Sequence, residues 1–125
     1  MIGGAPRAAT TSNRYIASAL RSSGVNSSKI HLIGADGPPS AYDMIRKGDY
    51  EVATVPEPST LFGYQAIDSV VRAMTGQPPA RFVQPVYLVT RESMDKEGGN
   101  KNEFVSSNGF ACHYTNVWRG KVNAC

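Results

Sequence analysis

Residues 29–63 constrain the fold most, because they alternate strand-like and helix-like patterns within a short length of chain. Two apolar β-type runs, 30–33 and 52–55, flank a helical pattern that ends at Gly48. A strand–helix–strand unit of this size favours parallel strands joined by a right-handed crossover. The sequence therefore predicts an α/β fold built on a parallel sheet.

Each apolar run leads into a loop that carries one carboxylate, Asp36 in the first loop and Glu57 in the second. The carboxyl ends of parallel strands lie at one edge of the sheet, and ligands of open α/β sheets bind at that edge. We therefore expect Asp36 and Glu57 to face one crevice. Asp36 before Gly37 also fits ordinary turn chemistry, and Glu57 equally fits a solvated loop.

Local signals predict the remaining elements. The predicted helices are 13–23 with Ser12 or Asn13 as N-cap and Gly24 as stop, 41–47 with a Ser40–Asp43 capping box, and 59–74. Further strand-like segments are 2–5, 82–83 and 86–89, the last two separated by Pro85. A final helix would present Phe110, Tyr114 and Trp118, which we interpret as packing residues rather than as a ligand platform.

Composition argues against several classes of function. The chain has 125 residues and a net charge of +3, and its basic residues are scattered, whereas nucleic-acid binders gather them on one face. No segment has the apolar length of a membrane span, and residues 1–4 are not a signal peptide, although a chain trimmed at its front would lose one. The loops of hydrolases, NTPases and dinucleotide-binding proteins are missing, so we expect no cofactor.

Two cysteines, Cys112 and Cys125, lie in the last segment. Spacing alone does not establish a disulfide, and our preferred interpretation is two free thiols. His113 beside Cys112 does not make a four-ligand site, so we expect no metal.

Several motifs together resemble the C-terminal portion of a periplasmic sugar-binding protein, a ribose-binding-like solute receptor of ABC transporters. They are Gly34-Ala35-Asp36-Gly37, Ile45-Arg46-Lys47-Gly48, Ala53-Thr54-Val55, Gly63 opening a helix, and Thr75-Gly76-Gln77-Pro78. The likeness covers about residues 10 to 94. It implies a partial, flavodoxin-like lobe of a type I periplasmic binding protein, followed by an aromatic-rich tail.

The resemblance also implies which residues bind the ligand. Asp36 and Glu57 would accept hydrogen bonds from sugar hydroxyls, although the family commonly has Gln where this chain has Glu57. An Asn-Asp pair is usual before the first helix, in the loop that here spans 7–13. An ungapped match places Ala9 and Thr10 there, while a helix shorter by one turn places Asn13 and Arg14 there. Asn13 is the residue that we prefer.

By the same resemblance the chain is a fragment of a non-catalytic receptor in the periplasm. Residues 1–57 would be the second half of the C-terminal lobe, 58–94 would cross to the other lobe, and 95–125 would form the tail. The expected partners are a monosaccharide and, through the full-length receptor, a membrane permease. Half a lobe exposes apolar surface, on the helix 59–74 for example, so we expect this short chain to form a homo-oligomer or to be completed by a companion segment.

Two alternatives remain open. The same fold serves as the effector-binding domain of lactose-repressor-type transcription regulators, although the extended tail and the cysteines fit that role less well. A small α/β enzyme would use Asp36 and Glu57 as acid and base, but the sequence shows no third orienting group.

Overall fold

The computed structural model describes residues 7–10, 13–96, 99–121 and 125. Its strands are β1 (Arg7–Thr10), β2 (His31–Asp36), β3 (Glu51–Pro56) and β4 (Val89–Thr90). Its helices are α1 (Asn13–Ser22), α2 (Pro39–Lys47), α3 (Ser59–Met74) and α4 (Phe110–Trp118), with a short 3₁₀ helix at Gly99–Lys101. The chain divides into two compact units, Met1–Glu57 with Val86–Phe104, and Pro58–Pro85 with Val105–Cys125.

The first unit contains one sheet in the order β1-β2-β3-β4. β1, β2 and β3 are parallel, as predicted, and they are linked through α1 and α2. β4 pairs with β3 in the antiparallel direction, so the sheet is mixed, and the prediction of a parallel sheet holds for β1, β2 and β3 only. The α/β fold class is confirmed.

Helices α1 and α2 cover the same face of this sheet. Ala17 of α1, Leu32 of β2 and Met44 of α2 belong to one buried cluster together with Tyr50. Because side chains two residues apart on a strand share a face, Gly34 lies on the same helix-covered side as Leu32. Polar groups placed near Gly34 are therefore enclosed between helices and sheet.

Glycine stop signals predict the helix ends well. Gly24 follows α1 with a φ of +72°, and Gly48 caps α2 in the left-handed conformation with a φ of +66°. The predicted Ser40–Asp43 capping box is wrong, because α2 begins at Pro39, one residue before Ser40. Proline at the first helical position has its φ already set for the helix, and its missing N–H has no intrahelical partner to lose.

The strand predictions succeed only in part. β1 occupies Arg7–Thr10, where we expected a loop, and the expected strand at 2–5 lies outside the described residues. Of the strand-like segments 82–83 and 86–89, only Val89 joins the sheet, together with Thr90. Pro85 cannot donate a ladder hydrogen bond, which shortens any strand that contains it.

The segment Val86–Phe104 packs on α2. Val89 and Met94 are buried against Tyr42 and Ile45 in a second apolar cluster. Arg46 of α2 forms hydrogen bonds with the same segment. Its guanidinium donates to the Asp95 carboxylate at 3.0 Å, to the Gly99 carbonyl and to the Asn102 side chain. These contacts hold the antiparallel β4 at the edge of the sheet.

The second unit contains the helix pair α3 and α4, and a disulfide links α4 to the end of the chain. Tyr64 of α3 contacts three rings of α4, in Phe110, Tyr114 and Trp118, with centroids 5.4 to 5.8 Å apart. The interpretation of this stripe as packing is therefore confirmed within the unit.

Cys112 and Cys125 are joined in a disulfide, so the preferred interpretation as free thiols is wrong. Thirteen residues of separation allow a helix and its following segment to bring the sulfurs together, which spacing alone does not reveal.

Gly37 is the glycine whose replacement we expect to cost most among those with a positive φ in the first unit. Its φ is +59°, and an added Cβ would lie 2.4 Å from the Cβ of Pro56. We predict that Gly37→Ala lowers the free energy of unfolding by roughly 2–4 kcal/mol, since left-handed strain of about 1–2 kcal/mol adds to the overlap. Urea unfolding followed by circular dichroism measures this change.

Gly24→Ala is the matched control, because Gly24 also has a positive φ but has nothing within 4 Å of an added Cβ. It should cost only the conformational strain, about 1 kcal/mol. Equal losses in the two variants would show that the close approach to Pro56 contributes nothing.

Candidate functional site

The carboxyl ends of β2 and β3 bring Asp36 and Glu57 to the same place. Asp36 is the last residue of β2 and lies opposite Pro56 in the parallel register. The backbone N–H of Glu57 donates to the carbonyl oxygen of Asp36 at 3.3 Å. The two acidic loops therefore share one sheet edge, as the strand–helix–strand pattern predicts.

Backbone geometry presents the Asp36 carboxylate at this edge. Asp36 has a φ of +68°, a left-handed conformation that Asp tolerates better than most residues. Gly37 follows with a φ of +59°, so two successive left-handed residues turn the chain from β2 toward α2. These two left-handed residues end the regular strand geometry of β2.

Both edge carboxylates are exposed. Asp36 and Glu57 are open to solvent, and within the described part of the chain neither forms an ion pair. Unpaired carboxylates at a sheet edge are strong hydrogen-bond acceptors for the donors of a ligand. The arrangement suits hydroxyl groups, each of which donates one hydrogen bond.

Asn13 belongs to the same edge but lies beneath the surface. It is the first residue of α1, which follows the carboxyl end of β1. Its side chain is only 4% exposed, and neither of its amide atoms has a regular hydrogen bond with the described residues. The competing assignment, Ala9 and Thr10, falls at the end of β1 itself. Asn13 is therefore separated in depth from the two exposed carboxylates.

Next to Asn13 lies a buried acid that the sequence reasoning missed. Glu51, the first residue of β3, is 2% exposed, and its Oε1 atom has no hydrogen-bond partner among the described residues. Thr54 is 0% exposed, and its hydroxyl oxygen is likewise unpaired there. Asn13, Glu51 and Thr54 together form what we call the buried polar cluster.

Gly34 makes room for this cluster. A Cβ atom at Gly34 would lie 2.1 Å from Glu51 Oε1 and 2.8 Å from Thr54 Oγ1. The Glu51 carboxyl group therefore occupies the space that a side chain on β2 would take. A glycine inside a strand is a known signal of such close approach, and it is the one feature of the sequence that pointed here.

Burial raises the pKa of the Glu51 carboxyl above its ordinary value of about 4.5. The Asn13 side chain acts in the opposite direction by favouring the carboxylate, although its amide atoms are not placed for a regular hydrogen bond. Burial is the larger cause, because a charge that leaves water loses solvation that one neutral amide does not replace. Glu51 therefore differs chemically from the exposed Asp36 and Glu57.

Metal chemistry finds little support in the described residues. They contain no group of three or more His, Cys, Asp or Glu side chains placed to hold a metal ion. Cys112, the neighbour of His113, is engaged in the disulfide. Among the helices that the structure describes, none combines the length and the apolar character needed to cross a membrane.

We predict that Glu51→Gln stabilises the protein at neutral pH. A carboxyl group whose pKa is raised by folding stabilises the native state below its unfolded pKa, and this contribution is lost as the pH rises through the folded pKa. Gln stays neutral throughout, so the variant should gain on the order of 1 kcal/mol over the parent chain at pH 7, and the gain should vanish below about pH 4.5. Urea unfolding at a series of pH values measures it.

The control is Glu103→Gln, which neutralises an exposed carboxylate in the same unit. It should change stability by a few tenths of a kcal/mol at most. A pH-independent difference between Glu51→Gln and the parent chain would contradict the assignment of Glu51 as a buried acid with a raised pKa.

Comparison with models of known protein families and with curated proteins finds no match to this chain.

Proposed function

We propose that the chain is a carbohydrate-binding fragment of a receptor for an ABC sugar uptake system. It would bind a monosaccharide in the crevice at the carboxyl ends of the parallel strands, and it would not catalyse a reaction. The observation that carries this proposal is the adjacency of Asp36 and Glu57, two exposed carboxylates at one sheet edge.

The chemistry of this edge fits a polyhydroxylated ligand. A carboxylate accepts hydrogen bonds through two oxygens, so one Asp can hold two neighbouring hydroxyl groups of a sugar ring. Charge-assisted hydrogen bonds of this kind are shorter and stronger than those between neutral groups. Two such acceptors on adjacent strands favour a small ligand with many hydroxyl donors.

Asn13 remains a proposed third ligand contact. It begins α1 at the same edge and carries an amide that both donates and accepts, the property that two carboxylates lack. Its burial makes it the innermost of the three residues. A ligand would reach it only after engaging Asp36 and Glu57.

In the complete receptor, which would lie in the periplasm, a second lobe would close over the sugar, and a permease in the membrane would recognise the closed shape. Hinged closure around a ligand is the usual way in which such two-lobed proteins convert occupancy into a signal. In this account the 125-residue chain supplies the acceptor edge of the crevice.

The test is calorimetric titration of the chain with a panel of pentoses and hexoses. We expect one sugar to bind in preference to the others. Asp36→Asn and Glu57→Ala should each weaken its binding about tenfold or more, since a hydrogen bond to a charged group contributes roughly 1.5–3 kcal/mol.

Asp49→Asn is the matched control. Asp49 lies before β3, at the amino and therefore opposite end of the strand, where it pairs with Arg21 at 2.7 Å on the surface. Its replacement should leave sugar affinity unchanged. Binding that survives both edge variants, or that falls equally in the control, would contradict the proposed site.

A further inference from the structure

Helix α3 is amphipathic in the reverse of the usual sense. The residues that it buries are Leu61, Gln65 and Asp68, two of them polar. The Asp68 carboxylate accepts a hydrogen bond from Arg72 Nε at 2.7 Å and another from Trp118 Nε1 at 3.2 Å. The polar side of α3 is thus already satisfied inside the second unit.

The apolar side of α3 is left exposed. Ile67 is 53% exposed, Val70 56%, Val71 37% and Met74 82%. These residues recur at i, i+3, i+4 and i+7, the spacing of a single helix face. Thr60 and Gly63 continue the same face toward the start of the helix, and we call these six residues the α3 stripe.

The first half of the stripe borders an open groove with a volume of about 560 Å³. Its walls carry no charged side chain and are formed by Thr60, Gly63, Tyr64, Ala66, Ile67, Thr115 and Trp118. Gly63 is exposed and has no side chain, and an added Cβ there would meet only open space, so the helix face is lower at Gly63 than at the apolar residues that follow. The second half, with Val70, Val71 and Met74, protrudes.

We propose that the α3 stripe is a homodimer interface in which two copies of α3 pack antiparallel about a twofold axis at Ile67. In this arrangement Met74 of one copy lies opposite Thr60 of the other, and Val71 lies opposite Gly63. Protruding side chains then meet recessed positions twice, because a twofold axis repeats every contact. A parallel pairing would instead place Met74 on Met74 and Gly63 on Gly63.

Spacing and charge support a second copy as the occupant. The positions 60, 63, 67, 70 and 74 alternate by three and four residues, which is the pattern of a helix-pairing seam. The stripe carries no charge, and Asp68 and Arg72 pair with each other on another side of α3, so no like charges meet across the axis. Antiparallel helices also align their dipoles favourably.

The area required shows how much of the unit takes part. A standard interface takes roughly 800 Å² from each partner, more than one face of a 16-residue helix about 24 Å long supplies. The groove walls contributed by α4, Thr115 and Trp118, must therefore join the contact. This interface uses only residues of the second unit and is independent of the proposed sugar site.

Sedimentation equilibrium or light scattering of the full chain tests the proposal. We expect the parent chain to be a dimer, Val70→Asp to be a monomer, and Val117→Asp to remain a dimer. Val117 is the matched control because it is also a helical valine, 65% exposed, but it lies on α4 and does not line the groove. A monomeric parent chain, or equal behaviour of the two variants, would overturn the proposal.

A second variant, Gly63→Leu, distinguishes loss of the dimer from loss of the fold. Gly63 is exposed, an added Cβ there would meet nothing within 4 Å, and Leu favours helix more than Gly does, so the full chain should keep its helical circular-dichroism signal. The same side chain fills the recess that Val71 of the other copy requires, so the dimer should be lost. A dimeric Gly63→Leu would overturn the proposed packing.

Oxidative cross-linking tests the direction of the helices. Ile67→Cys, at the axis, should form a covalent dimer, whereas Met74→Cys alone should not, since the two Met74 positions would lie about 21 Å apart. Efficient cross-linking through Met74→Cys would indicate a parallel pairing and overturn the antiparallel one.

Discussion

The parallel pairing of β2 with β3 is the interaction on which the first unit depends. Its register sets Asp36 opposite Pro56, and the next residue, Glu57, donates its N–H to the carbonyl of Asp36. The same pairing brings Gly34 opposite Thr54, which creates the space for the Glu51 carboxyl group. One ladder of hydrogen bonds thus positions both the exposed acids and the buried one. A slip of one residue would turn every side chain of β3 to the other face and abolish both arrangements.

The exposed acids Asp36 and Glu57 and the buried acid Glu51 differ in their solvation. Asp36 and Glu57 keep their solvation until a ligand arrives, so their hydrogen-bonding capacity is available for recognition. The Glu51 carboxyl group loses its solvation on folding, and this loss raises its pKa. Such a cost is tolerated where the surrounding packing is strong, and the adjacent apolar cluster of Ala17, Leu32, Met44 and Tyr50 supplies that packing.

Features that act through the backbone alone were predictable from the sequence. Gly24 and Gly48 end their helices with a positive φ, and α3 begins at Ser59 and ends at Met74, as its apolar spacing and flanking signals predict. The adjacency of Asp36 and Glu57 followed from the strand–helix–strand pattern, because that pattern fixes the direction of both strands. The exposed apolar face of α3 was expected only from the family resemblance, because a partial lobe lacks the rest of its packing.

Features that depend on tertiary contacts were not predictable. Glu51 stands in a run where a charged residue normally faces solvent, and only its neighbours in space show that it is enclosed. The burial of Asn13 at the start of α1 was likewise not visible in the sequence, and its role as a ligand contact stays a prediction. The pairing of Cys112 with Cys125 and the antiparallel β4 likewise arise from how distant segments meet. The division of residues 1–57, 58–94 and 95–125 between lobes stays a prediction.

The most direct test of the account is chemical-shift mapping of the ¹⁵N-labelled chain during titration with the panel of pentoses and hexoses. We predict that one sugar shifts the amide signals of Asp36, Gly37 and Glu57 first, with Asn13 and Gly34 following, and leaves the signals of α3 and α4 in place. Shifts confined to the helices of the second unit, or no shifts with any sugar, would contradict the claim that the carboxyl edge of the parallel strands is the binding site.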